Sequence, residues 1–315
     1  MILQEKDKSH PVSPLLRPGD IKFGHMIGGL IHALDPRYKR IVHRNLDFAF
    51  PDMPRHDLTS LCRNIYGQFG LTLVELIKLA FLTREDLLGV VRVIGQDNLE
   101  KAVKPGKGFI FFSAHIGNWE IAHLFTSAYI DMELVLVAKP LKFNSLDHFI
   151  NRLRSKFGNR ILYKKGALHH MARALRDKKG VGLLIDQETR PSEAVEVMFF
   201  DKKVNATPSA ALLARRYDCP VLPVFCVREE KTGQLLLVVR PPLPMVKTRD
   251  AKSDIRINTQ KMTDEVEKIV RAYPCQWFWF HKRWKRHYPH LYPEDLARNQ
   301  RREKKKRAML RSGPS

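Results

Sequence analysis

The chain has 315 residues, 44% of them hydrophobic, which is enough to bury a sizeable core in one large or two small domains. Its 55 Lys and Arg against 33 Asp and Glu give a net charge of +22 and a pI near 10, which implies an anionic partner: nucleic acid, a membrane surface or a phosphorylated substrate. Cys62, Cys219, Cys226 and Cys275 are widely spaced with no Cys-x2-Cys pair, and no apolar stretch approaches the ~20 residues of a membrane span or follows the start as a leader; a disulfide scaffold and a zinc ribbon are excluded, and the cytoplasm is the expected compartment.

Residues 1–20 are polar and Pro-rich and read as a loose lead-in. From 21 to about 90 the periodicity is helical, clearest in LTSLCRNIYGQFGLTLVELIKLAFL, where apolar residues between Phe69 and Leu82 cover more than one face. Such a helix is buried between layers, or it also lines a lipid pocket or dips into a membrane interface. From about 107, the strands GFIFFS, ELVLVA, RILY, GVGLLI, EVMFF, CPVLPVFCV and QLLLVV alternate with helices near 118–130, 144–157, 166–178 and 206–217. That alternation predicts an α/β sandwich with a mostly parallel or mixed central sheet flanked by helices. A last helix near 254–272 precedes a tail in two parts. CQWFWFHKRWKRHYPH mixes tryptophans with cations, a composition that stacks on bases or anchors at a bilayer interface, and RNQRREKKKRAMLR is an almost unbroken basic run suited to an anionic leaflet.

Residues 109–120, FIFFSAHIGNWE, place His115 and Glu120 where a buried strand passes through Gly117 and Asn118 into a helix. Ligands collect at such strand ends in open α/β sheets, and an imidazole held by a carboxylate is a general base with its tautomer fixed. The spacing alone does not separate that pair from a core histidine beside an unrelated glutamate. A second polar strand end is GLLIDQETR, with Asp186, Gln187, Glu188 and Arg190. A third is KPLKFNSLDHFINRLRSKFG, with Lys139 at the strand end and Arg152, Arg154 and Lys156 on the next helix, where Arg154 and Lys156 taken singly fit an ordinary solvated face. No phosphate-loop or dinucleotide-binding pattern occurs, His169-His170 has no carboxylate at metal spacing, and Ser113 has no Gly-x-Ser-x-Gly elbow around it.

SAHIGNWE, DQETRPSEAVEVMFFDKKVNATPSAALLARRYDCPVLPV, QWFWFHKRWK and, earlier, NLDFAFPDMPRHDLTSLCRNIY together resemble the bacterial lipid A late acyltransferases of the lauroyl and myristoyl transferase type, within the glycerolipid acyltransferases marked by His-x4-Asp/Glu. The resemblance spans about 25–288. It implies a glycerol-3-phosphate-acyltransferase-like sandwich with a helical N-terminal part: one domain over 21–288, helical to 90, with a basic tail over 289–315. It implies acyl transfer from a thioester of acyl carrier protein or coenzyme A to a hydroxyl of a membrane lipid, without cofactor, metal or covalent acyl-enzyme. His115 is then the base and Glu120 its orienting carboxylate. Asn118 or backbone amides at the helix start are oxyanion donors, and Asp186 and Gln187 are positioning residues in the same cleft.

Lys139-Pro140 stands where many members have Arg-Pro, keeping the charge but losing the bidentate fork, with Arg152 the candidate to compensate in binding phosphate. Residues 1–40, interrupted by Pro, Asp and Arg, do not match the membrane-spanning start common in the family. Peripheral attachment at the cytoplasmic face of the inner membrane is expected instead, through FGHMIGGLIHAL, the helix around 70–82 and the aromatic basic tail. A lipid A precursor is the leading acceptor; a lysophospholipid, a glycosylated phosphoinositide or an aminolipid is the alternative. A nucleic-acid-binding protein using the basic tail is the less favoured alternative from another class; nucleic acid is not an expected partner, because the α/β body carries none of its binding signatures.

Overall fold

Helices open the chain, each started by a recognisable device. In the computed structural model, which describes residues 12–163 and 166–296, α1 (Pro18–Leu34) and α2 (Pro36–Ala49) both begin with proline, in the first turn where no backbone N–H is needed. The Asp20 carboxylate accepts from the Arg17 amide and pairs with Lys78 on α3 (Arg55–Leu79), and α1 overlaps by three residues the stretch 1–20 expected to be a loose lead-in. The helix pair α1 and α3 crosses closely because a Cβ on Gly28 would collide with the Tyr66 carbonyl and one on Gly70 with the Gly24 carbonyl. Phe23, Met26, Leu30 and Leu34 face outward from α1 and remain exposed. Thr83 and Asp86 form a capping box on α4 (Arg84–Val90).

After β1 (Val91–Ile94) and α5 (Gln96–Val103) come β2 (Phe109–Ser113), α6 (Trp119–Ile130), β3 (Leu134–Ala138), α7 (Asn144–Arg154), β4 (Arg160–Tyr163), α8 (Ala167–Arg176) and β5 (Gly180–Leu184). A hairpin of β6 (Val195–Phe199) and β7 (Lys202–Ala206), α9 (Ser209–Tyr217), β8 (Val221–Arg228), β9 (Leu235–Val239) and α10 (Ala251–Ala272) follow. The central sheet has seven strands in the order β1-β9-β8-β2-β5-β3-β4. From β8 to β4 neighbouring strands run parallel, and the one antiparallel junction, β8 with β9, reverses the last two strands. The central strand β2 is buried throughout, as a strand covered on both faces must be. Alternate residues serve two cores: Phe109, Phe111, Leu134, Leu136 and Leu222 pack with α6, whereas Ile110, Phe112, Val135, Val181 and Val221 pack with α8, α9 and α10.

Two expectations change. EVMFF does not join the central sheet; Phe200 and Asp201, at φ 53° and 56°, make the two-residue turn that folds β6 back onto β7. The aromatic stretch after α10 is not a surface tail either. Trp277, Trp279 and Trp284 are at most 2% exposed, Trp277 and Trp279 meet edge to face at 4.6 Å, and Trp284 stacks on Phe199 at 5.9 Å. Even Arg283 is buried, donating to the Asn205 carbonyl at 2.7 Å with its guanidinium 5.6 Å from the Phe199 ring centroid. Indole rings gain more from burial in a core than from a surface role, so this segment is a strap across the second core. The basic run from 298 onward lies outside the described residues.

Candidate active site

β2 and β5 are parallel neighbours with Ser113 opposite Leu184, and the pairing continues through the Ile185 amide donating to the Ser113 carbonyl at 3.1 Å. Two residues beyond this register lie His115 and Asp186, so both polar strand ends meet. The His115 ring contacts Asp186 through Nδ1 and Oδ1 at 2.8 Å, and the His115 amide donates to Asp186 Oδ2 at 3.0 Å. Trp277 Nε1 also donates to Oδ2, at 2.8 Å. The strap is tied there by its backbone: the Phe278 amide donates to the His115 carbonyl at 2.8 Å and the Gly117 amide to the Gln276 carbonyl at 2.9 Å. Gly117, at φ 55°, makes the turn; a Cβ on it would strike the Cys226 carbonyl.

Burial pushes the Asp186 carboxyl up, but the His115 imidazole, its two hydrogen bonds and the Trp277 indole together hold it well below the usual carboxylate range. An ionised Asp186 only accepts, so the proton of neutral His115 sits on Nδ1 and the Nε2 lone pair accepts from the Gln187 amide nitrogen. That Nε2 faces Gln187 Nε2 at 3.3 Å, and the imidazole side chain is 20% exposed, against 2% for Asp186. Such an arrangement can serve as a general base, with its tautomer set by Asp186 and its second nitrogen reachable once the Gln187 amide is displaced.

Glu120 does not hold His115. It is the second residue of α6, and its carboxylate turns into the interior, where Arg154 forks it through Nε at 2.8 Å and a terminal nitrogen at 2.5 Å; Trp119 Nε1 donates at 3.1 Å. Burial pushes the Glu120 carboxyl up, and Arg154 more than reverses this, leaving it below its ordinary value. The orienting carboxylate in contact with His115 is therefore Asp186, because strand register and not chain proximity decides which acid reaches the ring. Arg154, which fits a solvated face by sequence, is the buried partner of Glu120. Lys156 likewise donates to the Leu79 and Ala80 carbonyls at 3.2 and 2.8 Å, closing the end of α3.

The Asn118 side chain is also committed elsewhere. Its Oδ1 caps α6 through the Ile121 amide at 3.1 Å, and its Nδ2 donates to Glu75 Oε2 at 2.9 Å, in a buried network with Arg228. One of its two Nδ2 hydrogens is thus taken by Glu75, and the residue is fully buried. The Trp119 and Glu120 amides at the head of α6 have no acceptor among the described residues. Lys139 follows β3 at the same sheet edge and is exposed, as is Arg152 on α7. Behind Gln187, the Glu188 amide donates to His281 Nε2 at 2.9 Å, so the strap pins this loop too; burial pushes the Glu188 carboxyl up to about 7 despite Arg283, Lys285 and Arg286 nearby.

The family model of the bacterial lipid A biosynthesis acyltransferases aligns with residues 19–286, a span that includes the sheet and the His115–Asp186 pair. The chain belongs to this family. This acyltransferase is 23% identical over 253 residues to a lipid A biosynthesis acyltransferase 2 of Shigella flexneri, covering 80% of the chain and 79% of the relative. It is 24% identical over 269 residues to the lipid A biosynthesis lauroyltransferase of Escherichia coli, covering 84% of each. A phosphatidylinositol mannoside acyltransferase of Mycolicibacterium smegmatis is 25% identical over 196 residues, covering 61% of the chain and 62% of the relative. Acyl transfer to a lipid acceptor is thus the activity of the protein.

Trp277 and Arg154 are the residues of this site that sequence reasoning missed. Only a buried glutamate's need for a cation pointed to Arg154, and nothing local distinguishes Trp277 from its neighbours in QWFWF.

Proposed function

We propose that the acyltransferase moves a fatty acyl chain from a thioester of acyl carrier protein or coenzyme A to a hydroxyl of a lipid A precursor, by general-base catalysis without a cofactor. The supporting observation is the His115–Asp186 pair, with Nδ1 held by the carboxylate and Nε2 covered only by the Gln187 amide. In this reading the acceptor hydroxyl displaces Gln187 and gives its proton to His115 Nε2, while its oxygen attacks the thioester carbonyl. Asp186 stays ionised and stabilises the imidazolium. The unused Trp119 and Glu120 amides receive the developing oxyanion. Collapse of the tetrahedral intermediate expels the thiolate, which takes the proton back from His115, and no acyl-enzyme forms.

The net charge of +22 suits both a phosphorylated acceptor and an acidic carrier, with Lys139 and Arg152 on the rim as phosphate ligands. The exposed row on α1, Phe23, Met26, Leu30 and Leu34, with Ile77 and Phe81 at the end of α3, supports peripheral attachment at the cytoplasmic face of the inner membrane. No helix among the described residues is long and apolar enough to cross a membrane. A different acceptor, such as a glycosylated phosphoinositide, is the second reading, supported by the likeness to a phosphatidylinositol mannoside acyltransferase. Nucleic acid finds no stacking platform in the strap, since its tryptophans are buried.

The test is acyl transfer by the purified protein with detergent, offering acyl carrier protein and coenzyme A thioesters with lipid A precursor, lysophospholipid and glycosylated phosphoinositide, read by mass spectrometry. A product mass shift that falls by about 10²-fold to 10⁴-fold in His115→Ala is expected. Wild-type turnover in that variant removes His115 as the base, and transfer to another acceptor alone moves the enzyme out of lipid A synthesis.

A further inference from the structure

Helix α7 carries one apolar stripe, of which only half is covered. Leu146, Phe149, Ile150 and Leu153 fall at helical spacing on a single face. Ile150 and Leu153, in the C-terminal half, are buried, and Leu153 joins the core that contains α6. Leu146 and Phe149 are not buried. With Leu141 and Phe143 in the loop from β3 they leave four large apolar side chains between 38% and 64% exposed. Clustered apolar groups rimmed by charge mark interaction sites.

The loop is held in place by the helix. Asp147 accepts from the Leu141 amide and from the Tyr163 hydroxyl, both at 2.8 Å, and the Asp147 amide donates to the Phe143 carbonyl at 2.9 Å. The outward position of Leu141 and Phe143 is therefore built into the fold. Asp147 is the one carboxylate of α7 and is turned to this task. Lys142, 5.6 Å from the Phe143 ring centroid, and Arg152, three residues beyond Phe149, are exposed at the two ends of the patch.

The far end of α7 reaches the exposed apolar surface of α3 and α1. Phe149 lies about 8 Å of helix before Arg154, and Lys156 just beyond it donates to the Leu79 and Ala80 carbonyls, next to the exposed Phe81. The Asp20–Lys78 pair sets the start of α1 against the same end of α3. Exposed apolar side chains of three helices thus gather around one helix end. Arg154 in turn ties α7 to Glu120 at the head of α6, so the patch also adjoins the site.

We propose that α7 and the loop before it form a second contact with an anionic bilayer, in which Leu141, Phe143, Leu146 and Phe149 enter the interface and Lys142 and Arg152 meet lipid phosphates. The inference rests on the reading of peripheral attachment and adds the surface that brings the bilayer beside His115. The physical warrant is that apolar side chains gain by leaving water while flanking cations gain from anionic headgroups, which together fix depth and orientation. An acidic protein would meet the cations equally well, but continuity with the apolar faces of α1 and α3 favours the bilayer.

The native cysteines are all buried, so the intact protein carrying Phe149→Cys can be labelled at that position with an environment-sensitive fluorophore. It is mixed with vesicles of phosphatidylcholine and phosphatidylglycerol in equal parts, with vesicles of phosphatidylcholine alone, and with acyl carrier protein. A blue shift with the mixed vesicles, quenched by a nitroxide on the lipid chains, is expected. In sedimentation with the same vesicles, Leu146→Ser combined with Phe149→Ser should weaken binding about tenfold, and Lys142→Glu should reduce the preference for anionic vesicles. Both proteins should melt as the wild type does, because the altered side chains are exposed, which separates lost attachment from lost folding. A label that stays in water while Met26→Ser with Leu30→Ser abolishes vesicle binding overturns the proposal and leaves attachment through α1 standing. A label that responds to acyl carrier protein and not to vesicles gives this face to the carrier and overturns it as well. Wild-type protein that binds neither kind of vesicle removes peripheral attachment as a whole.

Discussion

Asp186 and Glu120 are both carboxylates buried beside the same helix start, yet their partners differ. Asp186 faces a histidine, its own loop and an indole, and its charge is available to a proton acceptor that reaches solvent. Glu120 faces a guanidinium and is neutralised where it lies. The first arrangement fixes the tautomer of an imidazole, as the proposed base requires; the second ties α6 to α7. A carboxylate's burial and depressed pKa therefore do not mark it as catalytic, because an ion pair lowers a pKa as well as an imidazole does.

The comparison breaks most sharply at Asp186. Asp186→Asn should lower kcat by about 10²-fold to 10⁴-fold with little change in KM, since an amide no longer fixes the Nδ1–H tautomer. Steady-state kinetics on the folded variant checks this; unchanged kcat would remove Asp186 from the dyad. Glu120→Gln should act on the fold instead. Stranding Arg154 in the interior costs about 3–5 kcal/mol, visible in denaturant unfolding, and Glu120→Gln with Arg154→Met should recover much of it. A Glu120→Gln protein with full stability and the same turnover loss as Asp186→Asn would erase the distinction between the two acids.

Smaller effects sharpen it. Trp277→Phe keeps the ring and loses one charge-assisted hydrogen bond to Asp186, for which about a tenfold loss in kcat is expected. Nitrogen NMR of the His115 ring should then show less of the Nδ1–H form; an unchanged tautomer would make Trp277 a packing residue alone. Glu188 gives the smallest effect and a pH dependence. Its carboxyl is raised from 4.5 to about 7 in the folded state, so its stabilising contribution is complete below 4.5 and is lost as pH rises through 7. Glu188→Gln should therefore raise the melting temperature more at pH 8 than at pH 5. The reverse order would mean that Arg283 and its neighbours outweigh burial there.

The same contrast shows what could be read from the chain. The strands GFIFFS, ELVLVA, RILY, GVGLLI and CPVLPVFCV are apolar runs bounded by turns, and each is a strand of the central sheet. EVMFF has the same local appearance and is half of a hairpin, since only the turn at Phe200 and Asp201 redirects it. FGHMIGGLIHAL and QWFWF are both rich in large apolar residues. One forms an exposed helix face and the other a buried strap, and neither composition nor periodicity separates them.

By itself the sequence determined the element types, the basic charge, the strand-end position of His115 and the family motifs, because these rest on local periodicity, turn chemistry and residue identity. Only the tertiary structure decided which acid holds the imidazole, that Asn118 is spent on a cap and on Glu75, and that Arg154 and Trp277 belong to the site. The His115–Asp186 pair depends on the register of β2 against β5, Trp277 on the path of the strap, and the Asn118 and Arg154 contacts on how the start of α6 packs against α3 and α7; together they join residues between 34 and 91 positions apart. Local spacing carries no information about such pairs, because hydrogen bonds and ion pairs are decided by distance in space.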